Sequence, residues 1–263
     1  MPISVNYDKL LLGNEIKLSE KANLYIPKMK EIVEQDTNEL LLFSRVFVIS
    51  VREQFSGVPE KVDEIEAKFP TFWEIAHDES MSREVGEAMF GEGMDIMTML
   101  VAGVAYWTHS EVDDYKLLTN GKIVSEKLDL VVDKDMFLEL CKLVTMITDY
   151  EPDEDLIAPP GISSKENQCR IFKKLYKGRL RQRQRQKGSS IADRILLLQT
   201  LSNTYISFDQ IGEMTYYQFL NLLNAYRSLR ANNQRFDMYT AYKFDSEKIR
   251  LTDLSQDIHA SKG

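Results

Sequence analysis

The sequence predicts a mainly α protein: an α+β amino-terminal domain with one or two β-hairpins, then an all-helical carboxy-terminal domain. Three observations carry this expectation. Apolar residues recur at helical spacing in most of the long segments. Asn120-Gly121 stands between two apolar stretches, the preferred chemistry for a type I′ hairpin turn. The charge changes sign at "DYEPDEDLIAPPGISS", residues 149–164, where three prolines, a glycine and five acids exclude a long helix.

That segment predicts the domain organisation. Residues 163–263 carry 18 Lys and Arg against 9 Asp and Glu, whereas residues 1–162 carry 15 against 32. The expected division is an acidic α+β domain over 1–150, an acidic proline-rich linker over 151–162 and a basic helical domain over 163–263. The boundary falls near Pro160, and oppositely charged halves attract each other in cis or between copies. At 43% hydrophobic and 28% charged residues, the composition is globular.

In the amino-terminal part, "KLLLGNEIKLS" reads as a hairpin around Gly13-Asn14. "IPKMKEIVE" has Ile26, Met29, Ile32 and Val33 at helical spacing, with Pro27 suited to a first helical turn. "NELLLFSRVFVISVREQF" reads as one buried helix, with strand open as an alternative because "VFVISV" is β-branched. "PTFWEIAHD" and "SREVGEAMF" read as short helices, and "GMDIMTMLVAGVAYW" as the central buried one. "DKDMFLELCKLVTMI" closes the domain as a helix capped by Asp133, with Phe137, Leu140, Cys141, Val144 and Ile147 in one stripe.

Beyond the linker, Phe172, Tyr176 and Leu180 mark one helix face, beside Ile171 and Leu175. Ile191, Ile195, Leu198 and Leu201 mark a second helix, with Ser189 or Ser190 as its cap. A long helix begins near Thr215, where Tyr216, Phe219, Leu220, Leu223 and Tyr226 point one way. From Asn232 onward the polar composition predicts a loosely packed tail.

The longest apolar window, Met94 to Trp107, is interrupted by Asp95 and too short to span a bilayer, so no membrane is expected. No basic region followed by an apolar one succeeds Met1-Pro2-Ile3, so no secretory signal is expected. Cys141 and Cys169 are far apart and form no CxxC, which fits a reducing setting. His77, His109 and His259 are scattered, and "FGEGMD" around Gly91 and Gly93 reads as a turn between helices. No catalytic residues, metal ligands or cofactor are expected.

Two features suit partner binding instead. Met94 and Met97 lie in a methionine-rich stretch from Met81 to Met99, and Tyr216, Tyr217 and Phe219 lie in "TYYQF". Either set suits a partner groove, and either suits a core. The second feature is "GRLRQRQRQKGSS", residues 178–190, within a basic stretch. From Lys165 to Lys187 there are ten Lys and Arg and one acid. Lys173, Lys174, Lys177, Arg179, Arg181, Arg183, Arg185 and Lys187 form an electrostatic arm. Three readings of it stay open: a solvated helix extension, a contact for an acidic protein surface, and a grip on nucleic acid. Alternate helical residues point about 200° apart, so Arg179, Arg181, Arg183 and Arg185 cannot all face one partner.

The order of "PKMKEIVE" (27–34), "TNGKIVSE" (119–126), "DKDMFLELCKLV" (133–144) and "MTYYQFLNLLNAY" (214–226) resembles tail assembly chaperones of long-tailed bacteriophages of Gram-positive bacteria. The resemblance implies a non-enzymatic protein of the host cytoplasm, absent from the mature virion. It implies binding to the tape-measure protein and recruitment of the tail-tube protein, with self-association as a further expectation. It also implies a carboxy-terminally extended form made by ribosomal frameshifting. A structural tail component and a nucleic-acid-binding regulatory protein using residues 165–187 stand as alternatives, although nucleic acid is not the expected partner.

Overall fold

The computed structural model describes residues 3, 5–34, 38–185, 190–202 and 204–241. In chain order the helices are α1 (Tyr7–Leu11), α2 (Met29–Glu34), α3 (Glu39–Val48), α4 (Val51–Phe55), α5 (Val62–Lys68), α6 (Phe72–Ala76) and α7 (Glu79–Phe90). They continue with α8 (Ile96–Trp107), α9 (Lys134–Thr148), α10 (Glu166–Arg185), α11 (Ile191–Leu201), α12 (Phe208–Glu213) and α13 (Tyr216–Thr240). Strands β1 (Ile16–Lys17) and β2 (Asn23–Leu24) form one small sheet. Strands β3 (Lys116–Leu117), β4 (Ile123–Ser125) and β5 (Leu130–Val132) form an antiparallel sheet in that order. The fold is mainly α with some β, as the sequence predicts.

The chain divides into two compact units, each made of non-contiguous segments. Among the described residues, the first takes 3, 17–25 and 38–185, and the second takes 5–16, 26–34, 190–202 and 204–241. The boundary expected near Pro160 therefore falls inside the first unit, and the basic helix α10 belongs with the acidic body.

The first unit is built on α3, which packs against both α8 and α9. Val104, Trp107, Val144 and Ile147 are fully buried there, beside Phe137. A Cβ added at Gly103 would lie 2.6 Å from the Phe47 ring and 2.9 Å from the Phe43 carbonyl oxygen, so a glycine lets α8 approach α3. Asp133 caps α9 by accepting from the Met136 amide at 3.1 Å, as its sequence predicts. Cys141 is half-buried within that stripe, and burial pushes its thiol up to about 12. The single helix read over "NELLLFSRVFVISVREQF" is two, α3 and α4. Ser50 interrupts it by accepting from the Glu53 amide as the cap of α4.

Two turn assignments change. The Asn120-Gly121 hairpin exists, but its loop has three residues. The Gly121 amide donates to the Leu118 carbonyl, the Leu118 amide donates to Lys122, and only Gly121 takes positive φ, at 80°. That is the type I turn with a left-handed third residue, not the type I′ turn. Gly13-Asn14 does not turn a hairpin. It ends α1: the Asn14 amide donates to Lys9, the Gly13 amide donates to Leu10, and Gly13 has φ 84°. This double bond pattern is the Schellman cap, which needs the same Gly-Asn chemistry.

The second unit joins the start of the chain to its end. Residues 27–29 run antiparallel to 214–216: the Met29 amide donates to Met214, and the Tyr216 amide donates to Pro27. Pro27 thus precedes α2 instead of starting it. Lys28 and then Lys30 flank Glu213 and hold its carboxyl down to about 2. Helix α13 begins at a reciprocal cap between Thr215 and Gln218, and α11 at one between Ser190 and Asp193. The tail expected to loosen from Asn232 is helical as far as Thr240, though exposed. Residues 242–263 lie outside the described residues.

Candidate protein-interaction surfaces

The expected linker is a packed strap. Ala158 and Ile162 are buried with Val62 and Cys169, and Phe55 and Phe172 pack against them. The Ala158 amide donates to Ser56 Oγ at 2.8 Å. Arg52 holds the strap from beneath. Its Nη1 donates to the Ala158 carbonyl at 3.0 Å, its Nη2 to Asp63 Oδ1 at 2.7 Å, and its Nε to Glu66 Oε2 at 2.9 Å. Asp63 in turn accepts from the amides of Ser163 at 2.8 Å and Gly161 at 3.1 Å. The Arg52 guanidinium first, then the Ser163 and Gly161 amides, hold the Asp63 carboxyl well below its ordinary range. Proline and acid content signalled an open linker, but here Asp153, Asp155 and the backbone of 158–163 find partners within one unit.

This strap receives one face of α10. Lys173 pairs with Glu60 at 2.8 Å, Arg179 with Asp155 at 3.0 Å and Arg183 with Asp153 at 2.6 Å. Arg179 also donates to the Asp155 carbonyl. Phe172 and Tyr176 are half-buried and share this face, with ring centroids 6.0 Å apart. The electrostatic arm is thus partly satisfied in cis by the acidic half of the chain.

Lys174, Lys177, Arg181 and Arg185 are exposed and make no ion pair or hydrogen bond among the described residues, and so is Arg170. Lys187 lies outside the described residues. The Arg-Gln alternation therefore sorts its arginines: Arg179 and Arg183 turn inward, Arg181 and Arg185 outward. Ile171 and Leu175 are exposed on the flank, at 57% and 49%.

The helix carries one local weakness. Gly178 sits in the interior of α10, and a Cβ there would meet no atom within 4 Å. Gly178→Ala is expected to raise stability by about 0.5–1 kcal/mol, read as a higher urea midpoint, because alanine costs less backbone entropy in a helix.

The five residues expected to line one partner groove do not come together. Tyr216, Tyr217 and Phe219 are 5%, 0% and 0% exposed, in the core of the second unit. Their helical spacing signalled a stripe, and the stripe is core. Met94 is exposed, at 42%, in the turn before α8, and Met97 is half-buried on α8, both in the first unit. Met89 and Met99 are buried. A surface that the sequence reading passed over lies on α13, where Phe236, Met238 and Tyr239 are 54%, 42% and 44% exposed. In sequence the aromatics among them read as isolated within a polar, loosely packed tail.

Among the described residues no group of three or more His, Cys, Asp or Glu could hold a metal ion. His109 stacks on Tyr25 at 4.5 Å, and His77 is bonded to the carbonyls of Trp73 and Gly121, each at 2.7 Å. A cleft of about 690 Å³ opens beside β5 and α9, lined by Asp129, Asp133, Asp135, Glu139 and Lys142 among others. Asp133 is held down by the Met136 amide and Lys122, and Glu139 by Lys142. Among the described residues no helix is long and apolar enough to cross a membrane. Comparison with protein-family models, curated proteins and solved structures finds no match to this chain.

Proposed function

We propose that this chain is a non-enzymatic tail assembly chaperone, which binds the tape-measure protein and recruits tail-tube subunits in the host cytoplasm. The exposed end of α13 is the observation that carries the reading. A 25-residue helix is anchored at its first two turns by buried Tyr216, Tyr217, Phe219, Leu220 and Leu223. Its last turns then present Phe236 and Tyr239, three residues apart and so on one face. An aromatic surface on an anchored helix suits docking against the apolar stripe of another helix. The resemblance of four segments, in order along the chain, supplies the identity of that partner.

Co-expression tests it. A tape-measure fragment that is insoluble alone is expected to stay soluble beside the wild-type chain. The Phe236→Ser, Tyr239→Ser double variant is expected to lose that rescue with an unchanged melting temperature. A folded wild-type chain that leaves the fragment insoluble would sink the reading.

A further inference from the structure

We propose that the outer face of α10 is a docking strip for an acidic amphipathic helix of another protein. The positions of the cations left unpaired among the described residues carry it. Arg170, Lys174, Lys177, Arg181 and Arg185 are separated by four, three, four and four residues. At about 100° per residue these steps keep all five within one narrow face, opposite the face that Arg179 and Arg183 turn to the strap. At about 1.5 Å per residue the row runs roughly 22 Å, with a charge about every 4.5–6 Å. A second helix with Asp or Glu at the same spacing meets it charge for charge.

The chemistry beside the row chooses the partner class. Ile171 and Leu175, exposed and one helical turn apart, border the cations, so the strip is amphipathic. Apolar residues at that place match a protein helix and offer nothing to a phosphate chain. The aromatic rings of α10 that could stack on bases, Phe172 and Tyr176, are turned to the strap side. The other face of the same helix already binds carboxylates, those of Asp153 and Asp155, and Lys173 at the edge of the strip binds that of Glu60. The inference does not depend on the tail-chaperone reading.

The test uses the full chain and three probes in fluorescence anisotropy at low ionic strength. The first probe is a synthetic helical peptide with Glu at the 4-3-4-4 spacing and Leu on the adjoining flank. The second has the same composition in scrambled order, and the third is single-stranded DNA of matched charge. The ordered peptide is expected to bind at least about tenfold tighter than the scrambled one, and to weaken as salt screens exposed charges. Lys174→Gln with Arg181→Gln is expected to weaken it by about tenfold with no change in melting temperature. Ile171→Ser with Leu175→Ser is expected to weaken the peptide and spare any DNA binding. Equal binding of both peptides would remove the register. Tighter binding of DNA would make the strip a nucleic-acid surface. Self-association of the chain alone that the Lys174, Arg181 variant abolishes would make the occupant a second copy. Any of these three results overturns the proposal.

Discussion

Replacing Arg52 with methionine is expected to release the strap of residues 156–163 from the first unit. Methionine keeps an apolar stem of similar length but removes every donor. The Ala158 carbonyl then loses its guanidinium bond, and Asp63 and Glu66 face each other without the cation between them. Arg52 is only 12% exposed at its side chain, whereas Asp63 and Glu66 are 26% and 39%. The loss is therefore about 2 kcal/mol, below the 3–5 kcal/mol of a fully buried pair. Arg52→Lys keeps the charge but not the planar fork, and falls between. Both tryptophans, Trp73 and Trp107, lie in this unit, so their fluorescence reports its urea unfolding. Protease cleavage within 156–163 is expected in Arg52→Met and not in the wild type. Equal cleavage of both would mean the strap is not held by Arg52.

Acid separates the same contact by sign. Asp63 has a native pKa lowered from the ordinary 3.8, so its stabilising contribution is complete above that value. It is lost as pH falls below 3.8 toward the depressed native value. In Arg52→Met the largest cause of the depression is gone, so the variant has less of this stability to lose, and its stability falls less steeply with acid.

Much of this fold was legible because local chemistry and tertiary structure agree. Asp133, Ser190 and Thr215 cap helices where their sequence says so, and the stripe on α9 is the buried one. Illegible features are those where one local signal serves two structures. Gly13-Asn14 and Asn120-Gly121 hold the same two residue types in opposite order, and one ends a helix while the other turns a hairpin with a three-residue loop. What separates them is which carbonyls are in reach, and that depends on the residues before them. The strap was misread for a related reason. Proline and acid content measure how poorly a segment forms helix, not whether Arg52 and Ser56 stand a hundred residues away to bind it. The pairing of 27–29 with 214–216 is more distant still and leaves no periodic trace.

The candidate surface on α10 was half legible. Alternate residues 200° apart on a helix split the arginines into two sets, Arg179 with Arg183 and Arg181 with Arg185. Which set is engaged follows from the positions of Asp153 and Asp155, which only the fold supplies. For the tyrosines the spacing was correct and the environment was open, and burial decides it.

That decision has its own expected result. Tyr217→Ala and Phe219→Ala each remove a ring that is 0% exposed, and each leaves a cavity at the start of α13. Such truncations cost about 3–5 kcal/mol, the largest single-residue effect anticipated here. The loss should be local in origin, since α13 packs on α11 and on α1, and Gln218 donates to the Leu11 carbonyl at 2.8 Å. Hydrogen exchange is the appropriate probe because the second unit holds no tryptophan. Amides of α11 and α13 are expected to lose protection by two orders of magnitude or more, since about 1.4 kcal/mol is a factor of ten. Phe236→Ser, on the exposed end of the same helix, is expected to leave protection unchanged. Were Tyr217→Ala to keep full protection and lose only partner capture, the ring would be an interface anchor and not a core side chain. The two variants on one helix therefore separate what holds α13 in place from what it presents.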